Sequence, residues 1–179
     1  MEKVTLGGGC FWCLEAIFKS TEGIHNVKNG YMGGEIKNPT YEFVCTGNSG
    51  YVEVVQFDYD IKNLSFKKIL EIFFTIHDPT TLNQQGNDIG SQYKSIIFYH
   101  SKSQEDLAKK HIQELRNKKL FNHPIVTELT KATIFYEAEK YHEDYYNKNK
   151  EQPYCKIIIE PKLDKFKNSF KEIIKNDGF

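Results

Sequence analysis

The chain has 179 residues, 39% of them hydrophobic and 27% charged, which excludes wholesale disorder and suits a single domain over residues 1–179 with a substantial core. Lys+Arg and Asp+Glu both number 24, so the net charge of zero gives no reason to expect nucleic acid or an acidic membrane surface as a partner. No run approaches the ~20 apolar residues of a membrane helix, and the N-terminus lacks the pattern of a signal peptide, so we expect a cytoplasmic protein.

The first elements are a short strand, a glycine run and a helix. The strand covers Lys3 to Leu6 and runs into GGGCFWC, Gly7 to Cys13. Apolar residues then recur at helical spacing from Phe11 to about Ser20. Glycine readily adopts the positive-φ conformations of sharp turns, so the chain is expected to turn into a helix that carries two thiols on its first turn.

A second strand is predicted to end near Tyr31, before a Gly-, Asn- and Thr-rich loop from Gly33 to Gly50. The next segment, YVEVVQFDY, alternates as a strand does. Glu53 then shares one face with apolar and aromatic residues, namely Tyr51, Val55 and Phe57. This pattern predicts a carboxyl group on a largely buried face.

The rest of the chain continues to alternate between strands and helices. Apolar spacing predicts an amphipathic helix from Ser65 to His77, and a long polar loop follows from Asp78 to Tyr93. The later predictions are a strand over Ser95–Tyr99, a helix from Ser103 toward Lys118, a strand near Ile125–Leu129, a helix from Tyr136 to about Asn147, a strand within Cys155–Ile159 and a last helix carrying Leu163, Phe166, Phe170, Ile173 and Ile174. The expected fold class is α/β (α+β): a two-layer sandwich around a mixed sheet, with a ferredoxin-like βαβ core and an added C-terminal helical region.

The four cysteines, Cys10, Cys13, Cys45 and Cys155, are too few and too scattered for a disulfide framework. Only the first two have the spacing of metal ligands, and no second pair of cysteines follows, so no metal site is expected. Cys10 at a helix start is the candidate nucleophile, because the helix dipole and backbone N–H groups favour its thiolate. Burial as small hydrophobic residues is the favoured interpretation of the other three.

The motif GCFW (Gly9 to Trp12), followed by LEA, resembles the peptide methionine sulfoxide reductase A family. Further motifs of that family follow in the same order: GYMGG (Gly30 to Gly34), NPTY (Asn38 to Tyr41), VCTG (Val44 to Gly47), YVEVV (Tyr51 to Val55), HDPT (His77 to Thr80), QQGNDIGSQY (Gln84 to Tyr93), AEKYH (Ala138 to His142) and QPYC (Gln152 to Cys155). The resemblance covers a core of about residues 1–160, and residues 161–179 are expected to form the C-terminal helix. It implies a reductase that converts methionine S-sulfoxide, free or in proteins, to methionine in protein repair.

By this resemblance, Cys10 attacks the sulfoxide sulfur, while Phe11 and Trp12 hold the methyl group of the substrate. Glu53 protonates the sulfoxide oxygen. A carboxylic acid stays protonated near neutral pH only if burial disfavours its charged form, so the strand pattern independently supports this role.

The resemblance also implies roles for three polar side chains. Tyr41 and Tyr93 donate hydrogen bonds to the oxygen as it gains charge, and Asp88 orients the polar part of the substrate. A tyrosine is more often a packing residue, and an aspartate in a loop more often forms a turn. Only the motif context therefore indicates functional roles for these three residues.

The reaction leaves Cys10 as a sulfenic acid, which must be reduced. Many family members carry resolving cysteines in a Gly-rich C-terminal tail, whereas this chain has YCKIIIEP from Tyr154 to Pro161. We therefore favour a one-cysteine enzyme with no bound cofactor, reduced directly by an external thiol such as glutathione with glutaredoxin, or by thioredoxin. Cys155 and then Cys13 are the alternative resolving residues, and some relatives use selenocysteine as the nucleophile.

Two other functions remain open from the sequence. Cys10 and Cys13 form a CxxC at a helix start, which is typical of a thiol-disulfide oxidoreductase. A non-enzymatic methionine-binding module is the other alternative. Neither accounts for the tyrosine, glutamate and aspartate motifs.

Overall fold

The computed structural model describes residues 1–176. The strands are β1 (Glu2–Gly7), β2 (Ile24–Met32), β3 (Val52–Tyr59), β4 (Gln84–Gln85), β5 (Asp88–Ile89), β6 (Ile96–Tyr99), β7 (Glu128–Lys131) and β8 (Tyr136–Glu137). The helices are α1 (Phe11–Lys19), α2 (Tyr41–Cys45), α3 (Phe66–Ile76), α4 (Lys102–Asn117), α5 (Tyr145–Lys148) and α6 (Glu160–Ser169). None of the helices in this part of the chain is both long and apolar enough to cross a membrane.

The main sheet has the strand order β7-β6-β1-β3-β2-β8. Strand β3 pairs antiparallel with both β1 and β2, β1 pairs antiparallel with β6, and β6 pairs parallel with β7. The path β1-α1-β2-β3-α3-β6 with spatial order β6-β1-β3-β2 is the ferredoxin-like split βαβ arrangement. The predicted mixed sheet and ferredoxin-like core are therefore confirmed.

The helices cover one face of the sheet and bury the larger apolar core. This core joins side chains of β1, β2 and β3 to those of the helices, including Phe18 of α1, Phe73 of α3, Ala108 of α4 and Phe166 of α6. A smaller cluster on the other face contains Met32, Val52, Val54, Ile96 and Phe98. The alternation of β3 sends Val52 and Val54 to the smaller cluster, and Glu53, like Val55 and Phe57, toward the helices. Glu53 is only 1% exposed, as its strand pattern predicts.

The predicted helix from Tyr136 to Asn147 is wrong. The segment begins instead as strand β8, in which Tyr136 and Glu137 pair with Tyr31 and Gly30 at the edge of the sheet. Asp144 then has a φ of 55°, which no helix continues through, so the segment contains only a 3-10 turn at Lys140–His142 and the single turn of α5. Free hydrogen-bonding groups at the sheet edge outweigh the local helical spacing.

The predicted strand within Cys155–Ile159 is also wrong, because this segment is a π-helical turn that continues into α6. The three successive β-branched isoleucines, Ile157 to Ile159, are typical of a strand. The buried residues, however, recur at helical spacing through the turn and α6: Cys155, Ile159, Leu163 and Phe166. The last helix therefore starts earlier than expected and ends at Ser169, and residues 177–179 of the expected C-terminal helix lie outside the described part of the chain.

His77, which follows α3, is a buried histidine held in its neutral form. Its Nδ1 bonds to the Phe73 carbonyl and its Nε2 lies 2.7 Å from the Ser95 hydroxyl. Burial lowers the pKa of His77 to about 4, and the nearby positive charges of Lys162 and Lys165 add to this. Its imidazole therefore stabilises the fold only while it is neutral.

We predict that His77 makes the protein sensitive to acid. The unfolded chain binds this proton near pH 6.5, well above the folded pKa of about 4, so stability is full above pH 6.5 and falls as the pH drops toward 4. Between pH 7 and 4.5 the free energy of unfolding should fall by about 2 kcal/mol more in the parent than in His77→Gln. Urea unfolding at several pH values measures this difference. The exposed-site control His25→Gln should behave as the parent, and an acid loss in His77→Gln equal to the parent's would contradict the prediction.

Candidate active site

The glycines of the opening motif let β1 turn directly into α1 against the packed core. A Cβ on Gly8 would lie 2.8 Å from the Phe73 ring, and one on Gly9, whose φ is 94°, would lie 2.6 Å from Cγ of Gln85. Cys10 then occupies the N-cap of α1 with extended backbone angles. The loop thus delivers a thiol to the helix N-terminus just outside the first helical residue.

The thiols of Cys10 and Cys13 form a hydrogen-bonded pair in a nearly dry environment. Cys10 is 7% exposed, and burial raises its pKa well above the ordinary value, with the Cys13 thiol and the charge of Glu53 adding to the rise. The hydrogen bond from Cys10 lowers the pKa of Cys13. The expectation that the helix start favours the Cys10 thiolate is therefore wrong for the free protein, because desolvation outweighs the helix dipole.

Glu53 connects β3 to the start of α1. Its Oε2 accepts a hydrogen bond of 3.1 Å from the peptide N–H of Phe11, the residue after Cys10. Burial raises the pKa of Glu53 to about 8, and the nearby charge of Asp88 adds to the rise. At neutral pH the side chain is therefore mainly the neutral acid, which can donate a proton.

Tyr41 begins α2 and Tyr93 ends a 3-10 turn, each inside one of the two long segments that the sequence predicts as loops, and both are half-buried near Glu53. The Tyr41 hydroxyl is hydrogen-bonded with the thiol of Cys45 at the end of α2. Burial and the charges of Glu53 and Cys10 raise the pKa of Tyr93. Both phenols thus remain protonated donors at neutral pH.

Asp88 joins this group through Tyr154. The Tyr154 hydroxyl donates a 2.6 Å hydrogen bond to Oδ2 of Asp88 and lies within hydrogen-bonding reach of Cys13. Asp88 is half-exposed on the short β4–β5 hairpin, so one side of its carboxyl group can reach a ligand.

The apolar side of the site is built around Trp12, the chain's only tryptophan. Its ring stacks on Tyr145 with centroids 3.6 Å apart, and the ring of Tyr154 meets it edge-on at 5.7 Å. Its indole Nε1 donates a 3.0 Å hydrogen bond to Nδ1 of His142. Phe11 is fully buried and packs edge-on against His142. Trp12 therefore has a fixed position, and Phe11 supports it from the core.

Several residues of this wall had no role in the sequence interpretation. His142, Tyr145 and Tyr154 fix Trp12, and Glu139 accepts hydrogen bonds from the Tyr31 hydroxyl at 2.8 Å and from the Tyr41 peptide N–H at 2.9 Å. All of them lie in the irregular segment after β8. The motifs AEKYH and QPYC contain Glu139, His142 and Tyr154, so these motifs were the sequence signal that could have indicated a role for these three residues.

The remaining thiols occupy different positions. Cys155 is fully buried, and burial and the charge of Cys13 raise its pKa, which places it near Cys13. Cys45 is exposed. All four cysteines are free. Within residues 1–176, no three His, Cys, Asp or Glu side chains are grouped as metal ligands.

The geometry combines a thiol, a neutral carboxylic acid, two phenol donors and an aromatic wall. Such a site can attack a soft electrophilic atom while protonating an oxygen attached to it, beside an apolar group. A hydrolase built on a Cys-His pair is not supported, because His142 accepts a hydrogen bond from Trp12 and His77 bonds to Ser95.

Comparison with known proteins shows the family to which the chain belongs. The family model for peptide methionine sulfoxide reductase matches residues 2–174. Peptide methionine sulfoxide reductase MsrA of Saccharolobus solfataricus is 53% identical over 175 residues, covering 98% of each protein. The crystal structure of Mxr1 from Saccharomyces cerevisiae in reduced form aligns with a TM-score of 0.80 at 35% identity, over 86% of this chain and 88% of that one.

A second Mxr1 structure, in complex with Trx2, aligns with a TM-score of 0.57 at 25% identity, over 80% of this chain and 84% of that one. The matches do not favour the alternative of a thiol-disulfide oxidoreductase. The chain belongs to the peptide methionine sulfoxide reductase family and reduces methionine sulfoxide.

Proposed function

We propose that this chain reduces the S epimer of methionine sulfoxide with Cys10 as the nucleophile and Glu53 as the acid. The observation that carries the proposal is the contact between the Phe11 peptide N–H and Glu53, which holds a neutral carboxyl group beside the Cys10 cap. Cys10 Sγ bonds to the sulfoxide sulfur while Glu53 protonates the oxygen. The hydroxyl group then passes to Cys10 as methionine leaves, and the proton that left the thiol replaces the one Glu53 donated.

Substrate orientation follows from the two sides of the site. The substrate methyl group packs against Trp12 and Phe11, the hydroxyl groups of Tyr41 and Tyr93 donate to the sulfoxide oxygen, and Asp88 binds the polar backbone of the substrate. A sulfoxide sulfur carries four different neighbours, counting its lone pair. Fixing the methyl group and the oxygen therefore admits one epimer.

Cys13 is the best-placed resolving residue, ahead of Cys155. Its thiol already contacts Cys10, and its pKa is lowered by that contact. Cys10 lies at the N-cap, outside the helix, so the pair can close without breaking an internal helical turn. Attack of Cys13 on the Cys10 sulfenic acid forms the disulfide and releases water.

The Cys10–Cys13 disulfide then needs an external dithiol. Thioredoxin is the preferred candidate because Mxr1, a relative, forms a complex with Trx2. Glutathione with glutaredoxin is the alternative reductant, and it would suffice if Cys10 were recycled directly. A cytoplasmic location and action on both free and protein-bound substrate complete the proposal.

The Cys variants test the function. With dithiothreitol, only the S epimer of a peptide methionine sulfoxide should be consumed, and only Cys10→Ser should abolish consumption. With thioredoxin, Cys13→Ser should lose at least about tenfold in turnover because the disulfide cannot form, while Cys155→Ser stays near the parent. A Cys155→Ser variant that alone loses thioredoxin turnover would make Cys155 the resolving residue, and consumption of the R epimer would overturn the stereochemistry.

A second prediction concerns the proton on Glu53. Glu53→Gln should lower the rate of reduction by about 10²-fold or more at pH 7, since general acid catalysis contributes this much. The parent-to-variant rate ratio should fall as the pH rises through about 8, because Glu53 then loses its proton. Single-turnover rates between pH 6 and 9.5 measure this ratio. The exposed control Glu137→Gln should match the parent, and a ratio independent of pH would exclude Glu53 as the acid.

A third prediction concerns His142 as a positioning residue for Trp12. Burial lowers the pKa of His142, and its Nδ1 must be unprotonated to accept from the indole. His142→Phe should raise KM about fivefold, with a smaller effect on kcat, because it removes a hydrogen bond of about 1 kcal/mol from the methyl pocket.

The emission of Trp12, the chain's only tryptophan, reports this change directly. Emission should shift in His142→Phe, and in the parent as His142 is protonated below its lowered pKa. The surface control His25→Phe should alter neither readout. An unchanged emission and KM in His142→Phe would mean that the hydrogen bond does not position the ring.

A further inference from the structure

An open apolar groove lies against the active site, on the side of Asp88 and Tyr154. One wall is the turn between β4 and β5, and the other is the π-helical turn with the start of α6. Its volume is about 480 Å³, and its apolar lining comes from Pro153, Ile157, Ile158 and Pro161. Ile157 is 69% exposed, although neighbouring Cys155 and Ile159 are buried in the core. The turn therefore presents a large apolar side chain to solvent in the groove that Asp88 and Tyr154 also line.

The groove extends away from the site. A second cavity of about 530 Å³ shares Gln85, Pro161 and Lys162 with it and continues past Thr75 and Phe121. Because the two cavities are neighbours along these shared residues, together they outline a trough with the Asp88–Tyr154 hydrogen bond at one end. A trough is the shape that an extended chain fills, at about 3.3–3.6 Å per residue.

We infer that this trough binds the polypeptide on one side of the methionine sulfoxide in an oxidised protein, with an apolar side chain of that segment packed against Ile157. The inference deepens the proposed function and rests on it.

The occupant follows from the chemistry of the substrate. A methionine within a protein reaches Cys10 with its side chain, and its backbone must leave the site in two directions. Asp88, the group proposed to bind the substrate backbone, also lines the groove. The chain that leaves past Asp88 therefore enters the trough at Tyr154, where apolar atoms replace water around its next side chains.

The predicted effect is selectivity among peptides. Partial burial of a leucine against Ile157 should raise kcat/KM about five- to tenfold over a serine at the same place, at the usual value for apolar area. A blocked single residue, N-acetylmethionine sulfoxide amide, does not reach the groove and should be insensitive to it.

The test uses the full chain, with dithiothreitol as reductant and, in a parallel series, with thioredoxin. Short soluble peptides carry leucine or serine at the two positions before, or the two positions after, methionine S-sulfoxide. The variants are Ile157→Asp, the conservative Ile157→Leu and the control Ile61→Asp, whose isoleucine is 57% exposed just beyond the end of β3 remote from Glu53. The parent, Ile157→Leu and Ile61→Asp should prefer leucine on one side about five- to tenfold. Ile157→Asp should lose this preference and keep its rate on the blocked single residue.

The outcomes distinguish failure of the groove assignment from failure of the proposed function. No leucine preference in the parent, or a preference that survives Ile157→Asp, would overturn the groove assignment. A variant that keeps the preference but loses thioredoxin-dependent turnover would also overturn it, in favour of a docking site for the reductant. Failure of the parent to reduce any of these substrates would instead overturn the proposed function.

Discussion

The site depends on one hydrogen bond, from the peptide N–H of Phe11 to the carboxyl group of Glu53. It joins the N-terminus of α1 to a central strand of the sheet, β3, which lies between β1 and β2. The N–H is one of the groups that a helix start leaves unpaired, and the carboxyl oxygen is a polar atom that its strand buries. Each satisfies the other, so the thiol cap and the acid are held together by the requirement to pair buried polar groups.

The same burial explains the unusual protonation states. In a dry site an isolated thiolate and an isolated carboxylate are both unfavourable, so burial raises the pKa of Cys10 and of Glu53 together. For the acid this is useful, because it keeps a proton available. For the thiol it is a cost, to which the neighbouring Cys13 adds, and the incoming sulfoxide must offset it. Proton transfer from Glu53 neutralises the charge that develops on the sulfoxide oxygen during attack, and the proton released by the Cys10 thiol replaces the one that Glu53 donates, so the two groups are activated in the same step.

Much of this arrangement was predictable because it rests on local pattern. The alternation of YVEVVQFDY predicts a buried Glu53, and the glycines before Cys10 predict a tight turn into a helix. Long-range packing was not predictable in the same way. The run of isoleucines after Cys155 has the composition of a strand, but its burial follows helical spacing onto α1. The partners of Trp12 lie more than 100 positions away along the chain, so no local period signals them.

The irregular segment after β8 contributes as much to the site as the ferredoxin-like core does. Regular elements supply Cys10 and Glu53, whose relative positions must be rigid. His142 and Tyr145 come from short turns and Tyr154 from the start of the helical segment that leads into α6, and they surround a single indole ring from three directions. A methyl group offers no hydrogen bond, so it can be held in place only by contact on several sides. Strands and helices present side chains along one face, whereas a chain that changes direction every few residues can enclose a ring. The aromatic wall therefore requires the irregularity that made this segment difficult to predict.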